Sequence, residues 1–209
     1  MIGAIKSMRE RKRNFMKQTS FSVFCVKLFM GSVFGIFVCF CIDRILNIQQ
    51  ANFWQSLFMT VVYLFMYSIF PYYVASRQAD QDRKILRYKV HYPEEIPYSI
   101  ASLQKPRKGL KAGLIVMIPH MLTTIIPFLT FWGVTENINS IYHLLNIHLR
   151  ELIDFAVPTG TNGTWLGMIF LVAYQFILPL VSHFGYYTTF REIPVVYNIL
   201  YKKDSSKKK

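Results

Sequence analysis

Four apolar stretches divide this chain, and each is about as long as a helix must be to cross a bilayer. They lie at about 21–42, 53–75, 113–134 and 164–187, and roughly 20 apolar residues are needed to span the hydrocarbon core. Backbone groups in lipid must be satisfied within their own segment, so spans of this kind form helices. The sequence therefore predicts an all-α protein, an integral membrane four-helix bundle.

The positive charges predict the orientation of these spans. All but two of the 24 Lys and Arg lie in residues 1–20, 77–112 and 188–209 or at Lys27. Only Arg44 and Arg150 lie in the alternate loops. Short loops rich in Lys and Arg stay in the cytosol, which predicts an N-in/C-in topology. It has a cytosolic loop at 77–112, an outer loop at 135–163 and a basic tail at 188–209.

The composition argues against several other classes. A net charge of +13 could indicate nucleic-acid binding, but a phosphate-binding surface needs its charge on one face. Here the charge is divided among three segments, so we expect no nucleic-acid partner and instead contact with anionic lipid headgroups at the cytosolic face. The stretches between spans are too short for a core of their own. Residues 1–209 are therefore expected to form a single membrane domain.

The loops carry weaker patterns. Residues 77–89 could extend the second helix, and the alternation at 87–92 favours a short strand before Pro93 excludes a continuous helix. In the outer loop, apolar residues recur at helical spacing and predict an extra amphipathic helix on the outer surface or over the bundle mouth. The residues of that pattern are Ile138, Ile141, Leu145, Leu149 and Leu152.

The sequence offers little evidence for catalysis. The HExxH, GxSxG and P-loop patterns do not occur, and those motifs mark common metalloprotease, hydrolase and nucleotide sites. No Asp or Glu lies in the core of any predicted span, and intramembrane carboxylates are the usual carriers of ion-coupled transport. We therefore expect no enzyme activity, no cofactor, no metal and no carboxylate-based ion coupling.

Polar residues inside the spans form stripes at helical spacing. They are Thr60, Tyr63 and Tyr67 on the second span, His120, Thr123 and Thr124 on the third, and Gln175 and His183 on the fourth. One interpretation is a hydrated path or small-ligand cavity in which the histidines titrate. The other, which we favour, is hydrogen bonding between helices, worth about 0.6 kcal/mol for each bond. In both cases we expect these side chains to point into the bundle.

Small residues mark one face of the first span. Gly31 and Gly35 form a GxxxG pattern, and Cys39 extends it by one turn. Small residues let two helix backbones approach closely, so this span is expected to be the most closely packed helix, against another span of this chain or of a partner. Pro119 and Pro127 lie inside the third span and Pro179 lies inside the fourth, and all three predict kinks.

Two segments resemble a known group of proteins. They are Lys108-Gly-Leu-Lys-Ala-Gly-Leu-Ile115 and His183-Phe-Gly-Tyr-Tyr, followed by Phe-Arg-Glu-Ile193 and Tyr201-Lys-Lys203. They resemble the small multipass membrane proteins of AT-rich Gram-positive bacteria over about the last hundred residues. The resemblance implies a bacterial plasma membrane and says nothing about chemistry.

Two functional hypotheses follow. The first is a non-catalytic membrane subunit that assembles with itself or with other membrane proteins in a transport, secretion or defence assembly. Small size, the missing catalytic motifs and the small-residue face favour it. The alternative is a small transporter or channel that uses the polar stripes of spans two to four.

Overall fold

The computed structural model describes residues 19–46, 53–91, 105–134, 146–147 and 164–192. Within them, four helices are long and apolar enough to cross a membrane. They are α1 at Phe21–Leu46, α2 at Phe53–His91, α3 at Lys108–Phe131 and α4 at Trp165–Phe190. Every regular element in these residues is helical. The chain is thus an all-helical, multi-pass membrane protein, as the apolar stretches predict.

The four helices alternate in direction and pack in the cyclic order α1, α2, α4, α3. Helices α2 and α3 are consecutive in the chain but lie diagonally across the bundle. One end of the bundle holds the start of α1, the end of α2, the start of α3 and the end of α4. We call it the basic end, because Arg83, Lys84, Lys108 and Arg191 lie there. Trp54, Trp132 and Trp165 lie at the opposite end, each largely exposed.

Helix α2 continues far beyond its apolar stretch, and the predicted strand at 87–92 is wrong. The helix runs to His91, and packing explains why: Ala79 and Ile85 are buried against the rest of the bundle. Glu192, at the end of α4, accepts hydrogen bonds from Arg83 at 2.9 Å and from Arg87. These contacts hold residues 76–91, which we call the α2 extension, in helical form despite their alternating pattern.

Helices α3 and α4 are each interrupted once, three residues before a proline. The helix pauses at Thr124, ahead of Pro127, and at Phe176, ahead of Pro179. Proline has no N–H to bond the carbonyl four residues earlier. The backbone N–H groups of Thr124 and Phe176 bond instead to carbonyls three residues back, at 3.1 Å in both cases. These two breaks therefore lie where kinks are predicted. The kink predicted at Pro119 is absent, because Pro119 lies inside the continuous part of α3 before Thr124, and Pro71 likewise lies inside an uninterrupted α2.

Glycines bring the helix backbones together, but most closely at Gly109 and Gly113 of α3, which form a second GxxxG pattern, and not at Gly31 and Gly35. A Cβ atom built on Gly31 would lie 3.1 Å from a methyl group of Val74, and one on Gly35 would lie 3.0 Å from the Tyr67 carbonyl oxygen. A Cβ atom on Gly109 would lie only 2.5 Å from the Ser182 carbonyl oxygen. The first span is therefore not the most closely packed, and the tightest backbone contact joins α3 to α4.

Candidate functional site: a polar interior and a buried ion pair

The polar stripes of the spans turn into the bundle. The buried members are Tyr63, Tyr67, His120, Thr124 and Gln175, and the half-buried members are Thr60, Thr123 and His183. Large apolar side chains on the other helix faces are exposed, as is normal for surfaces that meet lipid chains. Orientation alone does not separate a wet path from helix packing, so the hydrogen bonds of each group must decide.

Most of the hydroxyl groups bond to their own helix. Thr60 donates to the Ser56 carbonyl at 2.9 Å. Thr123 donates to the carbonyl of His120 at 2.7 Å, and Thr124 to that of Met121 at 2.6 Å. Bonds to the carbonyl three or four residues earlier satisfy a hydroxyl without water. These side chains therefore do not need a hydrated path around them.

His120 bonds across the bundle to a residue that sequence reasoning did not single out. Its Nε2 lies 3.0 Å from Ser32 Oγ on α1, and Ser32 Oγ donates to the Phe29 carbonyl at 2.7 Å. Because the serine proton is used there, the histidine Nε2–H is the donor to Ser32 in this arrangement. The pair is a helix-to-helix hydrogen bond between α1 and α3. A serine that gives its proton to the backbone is not an activated nucleophile.

Tyr63 and Cys39 join α1 to α2 nearer the opposite end. The Tyr63 hydroxyl donates to Asp43 Oδ1 at 2.9 Å, and Cys39 Sγ lies 3.5 Å from the Tyr63 carbonyl oxygen. Asp43 follows the apolar part of α1 by one residue. It therefore accepts the hydrogen bond of Tyr63 at the rim of the bundle.

Part of the segment between α3 and α4 lies inside the bundle. Asn146 is fully buried, and its Nδ2 donates to Thr123 Oγ1 at 3.0 Å. Thr123 lies eight residues, about 12 Å of helix, before the end of α3 at Phe131. Ile147 joins the same core cluster as Met59 and Tyr63. Irregular backbone at this depth is tolerated only where protein or water surrounds it.

The predicted amphipathic helix in this segment, with Ile138, Ile141, Leu145, Leu149 and Leu152, lies outside the described residues. The structure describes only Asn146 and Ile147 of the segment between Val134 and Thr164, and both are buried. The signal for this insertion in the sequence is slight, because an Asn-Ile pair inside an apolar pattern does not distinguish a surface helix from a buried turn.

The two intramembrane histidines do not form one site. Gly109 and Gly113 of α3 contact Ser182 and its neighbours on α4, so His183 is level with the start of α3. His120 lies seven residues beyond Gly113, about 10 Å further along the helix. In the part of the chain that the structure describes, no three His, Cys, Asp or Glu side chains come together as a metal site.

Two polar atoms of α4 have no hydrogen-bond partner among the described residues. They are Gln175 Nε2 and His183 Nδ1. Gln175 is 5% exposed and lies on the buried face of α4. The two residues are eight positions apart, about 12 Å along the helix, so they belong to different levels of the bundle.

The strongest electrostatic feature is a buried ion pair at the basic end. Asp82 of the α2 extension is 1% exposed, and Lys108 at the start of α3 is 7% exposed. Asp82 Oδ2 accepts from Lys108 Nζ at 2.6 Å and from the Tyr186 hydroxyl of α4 at 2.7 Å. Its Oδ1 accepts from Gln78 Nε2 at 2.9 Å. The Lys108 ammonium lies 5.8 Å from the centre of the Phe24 ring of α1.

All four helices therefore meet at one carboxylate and its ammonium partner. We call Phe24, Gln78, Asp82, Lys108 and Tyr186 the ion-pair cluster. Asp82 lies about 10 Å of helix beyond Ala75, where the apolar stretch ends. A carboxylate with three charge-assisted donors is well satisfied despite its burial. The rule that charges lie outside the spans placed both residues in the cytosolic loop at 77–112 and so missed the cluster.

A weak signal for the cluster does exist in the sequence. Ala75, Ala79 and Asp82 recur at helical spacing past the end of the apolar stretch, and small residues on a charged helix mark a packed face. Lys108 is followed at once by Gly109, which the structure places in the closest backbone contact with α4. Both signals indicate packing, but neither pairs Asp82 with Lys108 across 26 residues.

Comparison of this chain with protein-family models, with curated proteins and with solved structures finds no match.

Proposed function

We propose that this chain is a non-catalytic membrane subunit that assembles with itself or with other membrane proteins in a transport, secretion or defence assembly. The observation that carries the proposal is the use of the interior polar groups. The hydroxyls of Thr60, Thr123 and Thr124 bond to their own backbone, and Ser32 and His120 bond to each other. Interior polar groups that bond in this way serve helix packing. The outer surface of the bundle is then the part that is available to bind a partner.

The α2 extension supports the same proposal. Its inner face is buried in the ion-pair cluster, whereas Lys84 and Arg87 are exposed. A helix that projects beyond the apolar stretch with one covered and one charged face can present that charge to a partner in the aqueous phase. The Gly31 and Gly35 face is already occupied by α2, so the partner is expected elsewhere on the surface.

The proposed setting is a bacterial plasma membrane with both chain ends in the cytosol. The basic end would then face the cytosol, in agreement with the distribution of Lys and Arg. Arg77 lies over the Tyr73 ring at 5.6 Å and Arg191 over the Tyr187 ring at 5.7 Å. Cations held over interfacial tyrosines suit contact with anionic lipid headgroups.

The mass of the intact assembly tests this proposal. The chain is extracted from its native membrane into lipid nanodiscs and weighed by native mass spectrometry. We expect a mass above the 24.6 kDa of one chain, from further copies or from a second membrane protein. A photo-crosslinking residue at Lys84 should reach the same partner, and one at the buried Ala79 is the matched control. A single chain with no adduct at Lys84 would overturn the proposal.

A small transporter or channel is the second candidate, and one observation favours it. Asn146 and Ile147 lie inside the bundle at the depth of Thr123, and Gln175 Nε2 has no hydrogen-bond partner among the described residues. If that segment leaves, a polar chamber would open from the opposite end. Ion or solute flux in proteoliposomes of the purified chain, increased by an Asn146→Ala change, would favour this candidate over the subunit.

A further inference from the structure

The ion-pair cluster contains the elements that proteins use to bind an organic ammonium group. Asp82 supplies a carboxylate at 2.6 Å from the nitrogen, and the Phe24 ring supplies an aromatic face. A carboxylate with an aromatic ring is a general recognition chemistry for ammonium ions. Gln78 and Tyr186 donate to the same carboxylate and so fix its position before the ammonium binds.

We propose that Phe24, Gln78, Asp82 and Tyr186 form a binding site for a primary ammonium group, and that Lys108 fills it as a tethered ligand. Filling the site joins the α2 extension to the start of α3, two elements that are diagonal in the bundle and share few other contacts. The lysine therefore closes the basic end. This inference does not depend on the proposed subunit role, because it concerns how one end of the bundle is held.

Asp82 and Lys108 stabilise the basic end because the loss of either one leaves the charge of the other unbalanced in the interior. Removing one member of a buried pair leaves an uncompensated charge, whereas replacing both with apolar residues of similar volume is often neutral. Asp82 without an ammonium would still hold two donors but would carry a buried net charge. The α2 extension and the start of α3 would then separate to admit water or a small cation.

Chemical rescue tests the site directly. Lys108→Ala removes the equivalent of n-propylammonium. We expect the melting temperature of the full chain in nanodiscs to fall by about 6 °C or more, and n-propylammonium chloride to restore at least half of the loss. Sodium chloride and 1-propanol at the same concentration are the controls for ionic strength and for chain length. Neither should restore stability.

The dependence on Asp82 completes the test. In a Lys108→Ala, Asp82→Asn variant, n-propylammonium should restore nothing. An Ala79→Cys reporter in a background without native cysteines is buried in the closed bundle, so maleimide should label it several-fold faster after Lys108→Ala and slowly again with n-propylammonium. Wild-type stability in Lys108→Ala, equal rescue by 1-propanol, or rescue without Asp82 would each overturn the proposal.

A second pair of variants covers the case in which Lys108→Ala does not accumulate. Lys108→Met replaces the apolar stem of the lysine side chain but not its ammonium group, so it leaves the carboxylate without its cation. We expect Lys108→Met to be less stable than Lys108→Met, Asp82→Asn, because the double variant buries no net charge. If the double variant is no more stable than the single one, the lysine is not the ligand of Asp82 and the inference fails.

Discussion

Gly31 and Gly109 each begin a GxxxG pattern but have different roles in the packing. A side chain at Gly31 would lie 3.1 Å from a methyl group of Val74 and no closer than 3.7 Å to the backbone of α2. A side chain at Gly109 would meet the backbone carbonyl of Ser182 and the Cβ of Tyr186, both at 2.5 Å. Backbone cannot move aside without shifting the whole of α4. The consequence of adding a methyl group therefore depends on what it meets and not on the motif.

We expect Gly109→Ala to reduce the unfolding free energy by about 1–3 kcal/mol, the range for overpacking. Gly31→Ala should change it by less than about 1 kcal/mol, since the helix gains propensity where the glycine is replaced. Unfolding in mixed micelles with a denaturing detergent measures both. Equal losses for the two variants would show that the α3–α4 contact is no tighter than the α1–α2 contact.

The hydrogen bond from Asn146 to Thr123 can be measured at the same scale. In a double-mutant cycle of Thr123→Val and Asn146→Ala, we expect a coupling of about 0.6 kcal/mol, with about 1.7 kcal/mol as the upper bound. Thr130→Val is the matched control, because the Thr130 hydroxyl donates to the Ile126 carbonyl of its own helix. Coupling of the same size between Thr130 and Asn146 would contradict a specific anchor at Thr123.

At the scale of the elements, hydropathy predicts the spans because the bilayer acts on every residue of a helix at once. The number of spans, their helical character and the breaks ahead of Pro127 and Pro179 follow from rules that act within one segment, although the same proline rule predicts a break at Pro119 that α3 does not have. The length of α2 does not, because Arg87 and Glu192 are 105 positions apart and the alternation at 87–92 is local. Tertiary contacts override such a local pattern.

Some features of the candidate site can likewise be predicted from a single segment, and others cannot. The inward direction of His120 and Gln175 follows from the spacing of polar residues on one helix face. The pairing of His120 with Ser32, and that of Asp82 with Lys108, does not follow, because each pair joins two separate helices. Charged residues past the end of an apolar stretch are ordinarily solvated. Asp82 is buried only because α4 runs alongside the α2 extension, and no local property of that segment reports its neighbour.

For the whole molecule, the orientation of the bundle is open to a direct test. In a background with the three cysteines replaced by alanine, Leu46→Cys lies at the opposite end and Lys105→Cys at the basic end, both exposed. An impermeant maleimide should label Leu46→Cys in intact cells, and Lys105→Cys only after permeabilisation. The positive-inside distribution of Lys and Arg is the reason. If Lys105→Cys were labelled in intact cells and Leu46→Cys only after permeabilisation, the basic end would face outward and the N-in/C-in prediction would be wrong.

The cyclic order of the helices also sets the order in which the protein can be completed during synthesis. Helix α3 leaves the ribosome directly after α2, yet it packs most extensively against α4, which is made after it. Until α4 enters the bilayer, Gly109 faces no backbone and Asp82 lacks its tyrosine donor. The bundle therefore keeps one side open during synthesis, and α4 closes that side when it enters the bilayer.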